Sequence, residues 1–264
     1  MLNVIVDDTR DPPRNLALDE ALVRAGPAPR PSPMLRVWQT LPTVMLGRFQ
    51  DAAVAADLAA CARDGIQVAR RATGGGAVYT DSGTLCFTLV HHQDHRRGPA
   101  RIPYPRPGAR PDLDVLVARA VEEFGLPAAA LGDGTVVQAA RLRTRSASLT
   151  HVAVHVRRMP PHGRRYIVPA GVSDPAPGGP RPGRRTLADF EPEVTLDAVR
   201  AAVLSVVVDE YGAACTRRPD AVERAVRDHL HTVRYGERAW HLAGSGGLYG
   251  RGLALPDDSG EGSH

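Results

Sequence analysis

The order of apolar and polar positions along the chain predicts short helices alternating with strands and hairpins. In "NLALDEALVRAG" (15–26) apolar residues fall at Leu16, Ala17, Leu18, Ala21, Leu22 and Val23, the spacing of an amphipathic helix that ends at Gly26. "MLRVWQT" and "TVMLGRF" read as two strands about a Leu-Pro turn. "AAVAADLAACARDG" predicts a helix capped by Gly65, and "IQVARR" a strand. After a glycine bend, "AVYT" and "TLCFTLV" read as strands about a "DSG" turn. Residues 91–112 predict a Pro/Arg/Gly-rich loop, and "LDVLVARAVEEFG" (113–125) a helix closing on Gly125. "TVVQAARLRTRSASLTHVAVHVRR" alternates as strand, turn and strand, and 173–185 is a second Pro/Gly loop. "TLDAVRAAVLSVVVDEYG" (195–212) predicts a helix with Thr195 as N-cap. "PDAVERAVRDHLHTVRYGERAW" predicts one further helix reaching Trp240, and the tail from 256 to 264 reads as disordered. Strands and helices mix without a strict βαβ rhythm, so the expected class is α+β, a mixed sheet with helices packed on it, in one domain over 1–255.

Composition narrows the function classes. Hydrophobic residues make up 43% of the 264, enough for a folded core. No apolar run reaches the ~18 residues that cross a bilayer, and the first 15 residues lack a basic start followed by an apolar core. The expectation is a cytoplasmic protein without a membrane partner. All 33 basic residues are arginine, with no lysine in the chain, so no step here can use a lysine amine of its own. The arginines are interspersed with 29 acidic residues and aromatics are only 5%, which favours a solvated basic surface over a nucleic-acid platform. Cys61, Cys86 and Cys215 have no CxxC spacing, and the histidines of 91–112 have no ligand spacing; no metal site is predicted.

The stretch "ARRATGGGAVYTDSGTLCF" carries the candidate chemistry. Consecutive glycines let backbone N–H groups approach an anion, and Arg70 and Arg71 before them are able to pair with a carboxylate or phosphate. Val78 and Tyr79 point to opposite faces, so one lines an apolar slot while the other enters the core. A glycine run by itself is also compatible with a plain hairpin turn.

Its neighbours carry a resemblance. "NLALDEAL", "VWQ", "TVMLGRFQ", "DGIQVARRATGGGAVYTDSGTLCFTL" and "VERAVRDHL…RYGERAW" are similar, in order and spacing, to the lipoate–protein ligase A/octanoyltransferase family, relatives of biotin–protein ligases. That family's Arg-Arg-x-x-Gly-Gly-Gly-Ala-Val-aromatic-His-Asp-x-Gly signature is met from Arg70 to Gly83, except that Thr80 replaces the histidine. The specific match spans about residues 15–90, and the remainder agrees in outline to about residue 240. The resemblance implies a class II biotin/lipoate ligase-like catalytic domain with an acyl tunnel beside the glycine loop. It implies that Arg71, Gly76, Ala77, Val78 and Tyr79 contact an acyl-adenylate, with Arg70, Gly74 and Gly75 shaping the bend and His151 in a family His-Gly-Thr position. It also implies ATP and Mg2+ with lipoate or octanoate as small substrates, and a lipoyl domain or other carrier protein whose lysine accepts the acyl group.

The chain departs from that pattern at the reacting groups. The family lysine is missing; Arg141 falls nearest to its place, with Arg143 as the alternative, and a surface strand arginine is an equally good reading of Arg141. Asp133-Gly134 stands where ligases carry Asn-Asp, and Ala170 where octanoyltransferases carry a nucleophilic cysteine. Three functions remain: an arginine-adapted ligase or acyl transferase, a catalytically silent binder of an acyl compound or lipoyl domain, and an acyltransferase of altered chemistry.

Overall fold

The computed structural model describes residues 1–25, 32–92, 110–127, 136–160, 166–168 and 185–244. In chain order the elements are β1 (Leu2–Ile5), α1 (Pro12–Arg24), β2 (Met34–Trp38), β3 (Thr43–Leu46), α2 (Ala52–Ala55), α3 (Leu58–Arg63) and β4 (Gln67–Arg70). They continue with β5 (Val78–Thr80), β6 (Thr84–His92), α4 (Leu113–Glu122), β7 (Val137–Arg143), β8 (Ala147–His155), α5 (Leu196–Tyr211), β9 (Ala214–Arg217), α6 (Ala221–Leu230) and α7 (Arg238–Ala243).

The expected α+β class holds. A six-stranded mixed sheet runs β7-β8-β6-β2-β1-β9, and a three-stranded sheet runs β4-β3-β5. The β7-β8-β6-β2 half is antiparallel, while β1 lies parallel to both β2 and β9. Period-2 alternation sorts the large sheet's side chains into two layers. Leu85, Phe87, Leu89, Val152 and Val154 face α4 and α5, meeting Leu116, Val117, Val199 and Val203. On the opposite face, Trp38 and Cys86 meet Leu16, Ala17 and Ala21 of α1. Helix α1 is buried nearly all round, including Asn15, Asp19 and Glu20, because it lies between the large sheet and the C-terminal helices.

Several boundaries differ from the pattern-based expectation. The predicted helix over 52–65 is two short helices. Ala56 between them is extended and bridges Ile167, and Asp57 then caps α3 by accepting from the Ala60 N–H at 2.8 Å. The final predicted helix likewise breaks into α6, a π turn over His231–Tyr235 and α7. His91 and His92 belong to β6 rather than to a loop, and β1 and β9 are four-residue strands that the alternation did not reveal. The expected caps are present: Thr195 accepts from the Ala198 N–H at 3.1 Å. The expectations for 93–109, 173–184 and 256–264 lie outside the described residues.

One buried ionic cluster joins the first helix to the π turn that follows α6. Glu20 accepts from Arg234 Nη1 at 2.7 and 2.8 Å, from the Tyr235 hydroxyl at 2.5 Å and from Arg24 Nε at 2.6 Å. Burial alone would raise the Glu20 carboxyl; Arg234, Arg24 and the Tyr235 hydrogen bond outweigh it and hold it below the ordinary value. A carboxyl depressed in the folded state contributes stability above its unfolded pKa and loses it as the pH falls through the folded one. Glu20→Gln is therefore expected to cost about 3 kcal/mol at neutral pH and to flatten the acid side of the stability curve. Urea denaturation of both proteins from about pH 7 to about pH 4 checks this, and parallel curves would contradict it.

Candidate functional site

Strand β4 ends in two arginines with different surroundings. The guanidinium of Arg70 is fully buried and donates to six carbonyls from two separate segments. Gly47, Arg48 and Gln50 accept from Nη1 at 2.9, 3.2 and 2.6 Å. Trp240 accepts from Nε at 3.0 Å, and His241 and Leu242 accept from Nη2 at 3.0 and 3.3 Å. Arg70 is thereby committed to protein carbonyls. Its expected pairing with a ligand anion is corrected: it shapes the bend from behind.

Arg71 turns toward the glycine loop. Nε donates to Thr73 Oγ1 at 2.9 Å, Nη1 to the Met45 carbonyl at 3.0 Å, and Nη2 to the Gly74 and Gly76 carbonyls at 2.6 and 2.9 Å. Burial lowers its pKa to about 10, which still leaves it charged at neutral pH. Gly75 needs to be glycine because its φ is 91°. Gly47 needs to be glycine because a Cβ there would sit 2.0 Å from the Gly75 carbonyl oxygen. Gly74 and Gly76 carry no such demand, since a Cβ on either would meet open space. Among the described residues the amides of Gly74, Gly75 and Gly76 donate to no protein group.

Beside this loop lies a pocket of about 260 Å³. Its walls are apolar where Leu16, Trp38, Met45, Val78, Cys86, Val137, Ala140 and Ala153 line it; Arg71, Thr80, Gln138 and His151 supply the polar groups. Behind the wall sits a buried polar chain. Asp19 on α1 accepts from Arg36 Nη1 and from Thr88 Oγ1, both at 2.8 Å, and its Oδ2 lies 2.8 Å from His151 Nε2. Arg36 also donates to the Asn15 carbonyl at 3.1 Å and to Asn15 Oδ1, and Trp38 Nε1 donates to Thr88 Oγ1 at 2.9 Å. Burial by itself would raise the Asp19 carboxyl, but Arg36 and His151 outweigh it and keep it below the usual value. On its other side His151 Nδ1 lies 3.5 Å from Thr73 Oγ1, which links this chain to Arg71 and the loop.

Arg141 is placed elsewhere. On β7, Gln138 and Ala140 pair with Ala153 and His151 and share their face, while Arg141 pairs with Thr150 and points the other way. There it is bound to Asp112 at 3.3 Å and Asp114 at 2.6 Å, at the start of α4. Its assignment as the catalytic cation is corrected by this strand alternation. Tyr79, assigned to the ligand, is corrected too: it packs on Tyr166 at 5.7 Å in a core cluster, while its neighbour Val78 lines the pocket. Thr80, at the family's histidine position, is buried with its hydroxyl 2.9 Å from that of Thr40 and still lines the pocket. Gly76, Ala77 and His151 line it as well. Asp133, Gly134 and Ala170 lie outside the described residues. Cys86 lines the wall, but burial pushes its thiol well above the ordinary range, so it carries no thiolate. The residue reading missed Asp19, Arg36, Thr73 and Thr88. A carboxylate three residues after Leu16 and four before Val23, on the apolar face of the 15–26 helix, was the available signal for Asp19.

Comparison with known proteins agrees with this layout. Residues 11–141 match the lipoyl protein ligase A/B catalytic domain. A lipoate-protein ligase A from Blochmanniella pennsylvanica is 38% identical over 94 residues, 36% of this chain and only 27% of that protein's length. Three solved structures share the fold. A bipartite lipoate protein ligase studied with its E2 lipoyl domain, from Thermoplasma acidophilum, superposes with a TM-score of 0.68 at 22% identity, covering 91% of this chain and 95% of that one. A lipoate-protein ligase A bound with ATP gives 0.70 at 23%, covering 91% and 98%. LipL1 of P. falciparum in complex with lipoate gives 0.67 at 16%, covering 92% and 73%. The glycine-loop motif and the matched residues 11–141 make the chain similar to the lipoyl protein ligase A/B catalytic domain, and the mixed sheet shows the fold of lipoate protein ligases.

Proposed function

We propose that the chain holds a lipoyl- or octanoyl-type acyl group, presented as the acyl-adenylate, and passes it to a lysine of a carrier protein such as a lipoyl domain. The observation that carries the reading is the junction, at Gly76, of the apolar pocket with a glycine loop whose Gly74–Gly76 amides donate to no group among the described residues. An alkyl chain gains by leaving water along Leu16, Trp38, Met45 and Ala153, while three consecutive N–H groups that donate to nothing among the described residues suit the phosphate of an adenylate. The relatives bound to lipoate and to ATP give this ligand class its chemical precedent.

In the transfer, a carrier amine would attack the acyl carbonyl carbon, the bond to the AMP oxygen would break, and the ammonium proton would pass to solvent or base. The chain's part is to hold the acyl tail, orient the carbonyl and exclude water. Arg71 has four of its five N–H donors assigned and remains charged, so it stabilises the loop's carbonyls and lends positive potential to the mouth. ATP would supply the adenylate as co-substrate. Among the described residues no group of three His, Cys, Asp or Glu is arranged to hold a metal, and Asp133 lies outside them.

A second reading, binding without turnover, is favoured by one observation: the chain has no lysine, and its nearest substitute, Arg141, faces away from the pocket. Incubation with ATP, lipoate and a lipoyl domain separates the two. An acyl mass added to the domain supports transfer; bound acyl-adenylate with no added mass supports the silent binder. Arg141→Ala is expected to leave any transfer unchanged and to cost less than about 1 kcal/mol of stability, as a surface pair should. Loss of transfer in that variant would show that the arginine reaches the substrate.

Calorimetric titration with non-hydrolysable lipoyl-AMP or octanoyl-AMP analogues is expected to give a Kd in the micromolar range or tighter, and no binding to either would refute the acyl reading. Gly76→Ala, which fills open space on the pocket side, is expected to weaken that affinity about tenfold with little change in Tm. Gly47→Ala should instead cost about 2 kcal/mol of stability, because the Gly75 carbonyl has to move.

A further inference from the structure

Helix α7 lies directly beneath the end of β4, and the contacts run in both directions. Trp240 Nε1 donates to the Arg70 carbonyl at 3.0 Å, while the Arg70 guanidinium caps the carbonyls of Trp240, His241 and Leu242. A helix leaves its last carbonyls unpaired, and a cation there also suits the helix dipole, so Arg70 acts as a C-cap from 170 residues upstream. The same guanidinium holds the Gly47, Arg48 and Gln50 carbonyls, and Arg48 in turn donates its amide to the Thr73 carbonyl at 2.9 Å. The glycine loop is thus tied to α7 through one side chain.

His241 closes this circuit. Its Nδ1 accepts from the Arg70 backbone N–H at 2.9 Å, which leaves the ring proton on Nε2, where it is donated to the Tyr235 carbonyl at 2.7 Å. Both ring nitrogens are spent on backbone, and the ring is 8% exposed, so water cannot replace either contact. Adding a second proton would set Nδ1–H against the Arg70 N–H, donor against donor, and a cation beside the Arg70 guanidinium.

We propose that His241 is a positioning residue for the glycine loop: neutral, it locks α7 against the end of β4, and on protonation it releases that lock and loosens the loop. The charged groups that bear on it are Arg70 on β4 and His231 in the π turn, which oppose its protonation, and Asp11 at the start of α1, which favours it. Burial is the largest influence and lowers its pKa below the ordinary histidine value. A histidine depressed in the folded state costs stability as the pH falls below the unfolded value of about 6.5, and the loss levels off below the folded value. The effect on loop order is independent of the ligand; its effect on affinity rests on the acyl-binding reading above.

Hydrogen exchange of the ligand-free chain, expressed as protection factors, tests the proposal at the Arg48 and Arg71 amides, which pair with the Thr73 and Leu46 carbonyls. Wild type is expected to lose protection there about fivefold between about pH 7.5 and about pH 5.5, while amides of the β6–β8 ladder stay constant. His241→Asn keeps an acceptor near the Nδ1 position and does not titrate, so it should retain protection and abolish the pH response. His241→Phe should exchange faster at both pH values. Constant protection in wild type, or an unchanged pH response in His241→Asn, overturns the proposal even if His241→Phe fails to fold. Octanoyl-AMP affinity measured on the same samples should fall in parallel for wild type alone. A wild type that binds no analogue would refute the acyl reading, leaving the exchange data to decide the role of His241.

Discussion

A guanidinium cannot be buried in a protein without partners for its N–H groups; left unpaired, it would cost several kcal/mol. Arg70 meets that constraint by collecting carbonyls from residues 47–50 and 240–242, segments nearly 200 residues apart. Once these are collected, the turn after β3, the end of β4 and the last helix have one mutual arrangement. The glycine loop begins at the very next residues and inherits it. The packing of Trp240 and Tyr235 against Leu16, Trp38 and Met45 then carries the same alignment to the pocket wall.

The pocket itself balances two opposed demands. An acyl chain needs apolar walls, yet the elements that form them bring Asp19, Arg36, Thr88 and His151 into the interior. Each of these is stabilised only by its neighbours. The Asp19 carboxylate remains charged because Arg36 and His151 offset its desolvation; the Thr88 hydroxyl donates to it and itself accepts from Trp38 Nε1. Such a network is rigid, since loss of any member leaves a buried group unpaired. Arg71 plays the corresponding part on the loop side, holding the Gly74 and Gly76 carbonyls.

Local signals recovered much of the architecture. The period-3.6 runs at 113–122 and 196–211 are helices, with Gly125 in the left-handed region and Thr195 as cap. The glycine motif and its two arginines identified the loop, and Val78 and Tyr79 do take opposite faces. What failed did so for tertiary reasons. The strands Leu2–Ile5 and Ala214–Arg217 are too short to show a period, and they exist because each finds a partner far along the chain. The helix over 52–65 is interrupted because Ala56 bridges Ile167, a contact that local propensity does not register. Proximity to a motif position suggested a catalytic role for Arg141; strand alternation put it on the α4 side with two aspartates.

The sequence by itself determined the family resemblance, the α+β class, the glycine bend and the absence of any lysine, because these reside in residue types and their spacing. Which arginine clamps and which faces the pocket was decided only by the tertiary structure. Adjacent residues on a strand point in opposite directions, and the direction acquires meaning only when distant segments occupy the two sides. Arg70 met carbonyls of the last helix and Arg71 met the loop. The role of His241, distant in sequence from everything it holds, follows from the same fact.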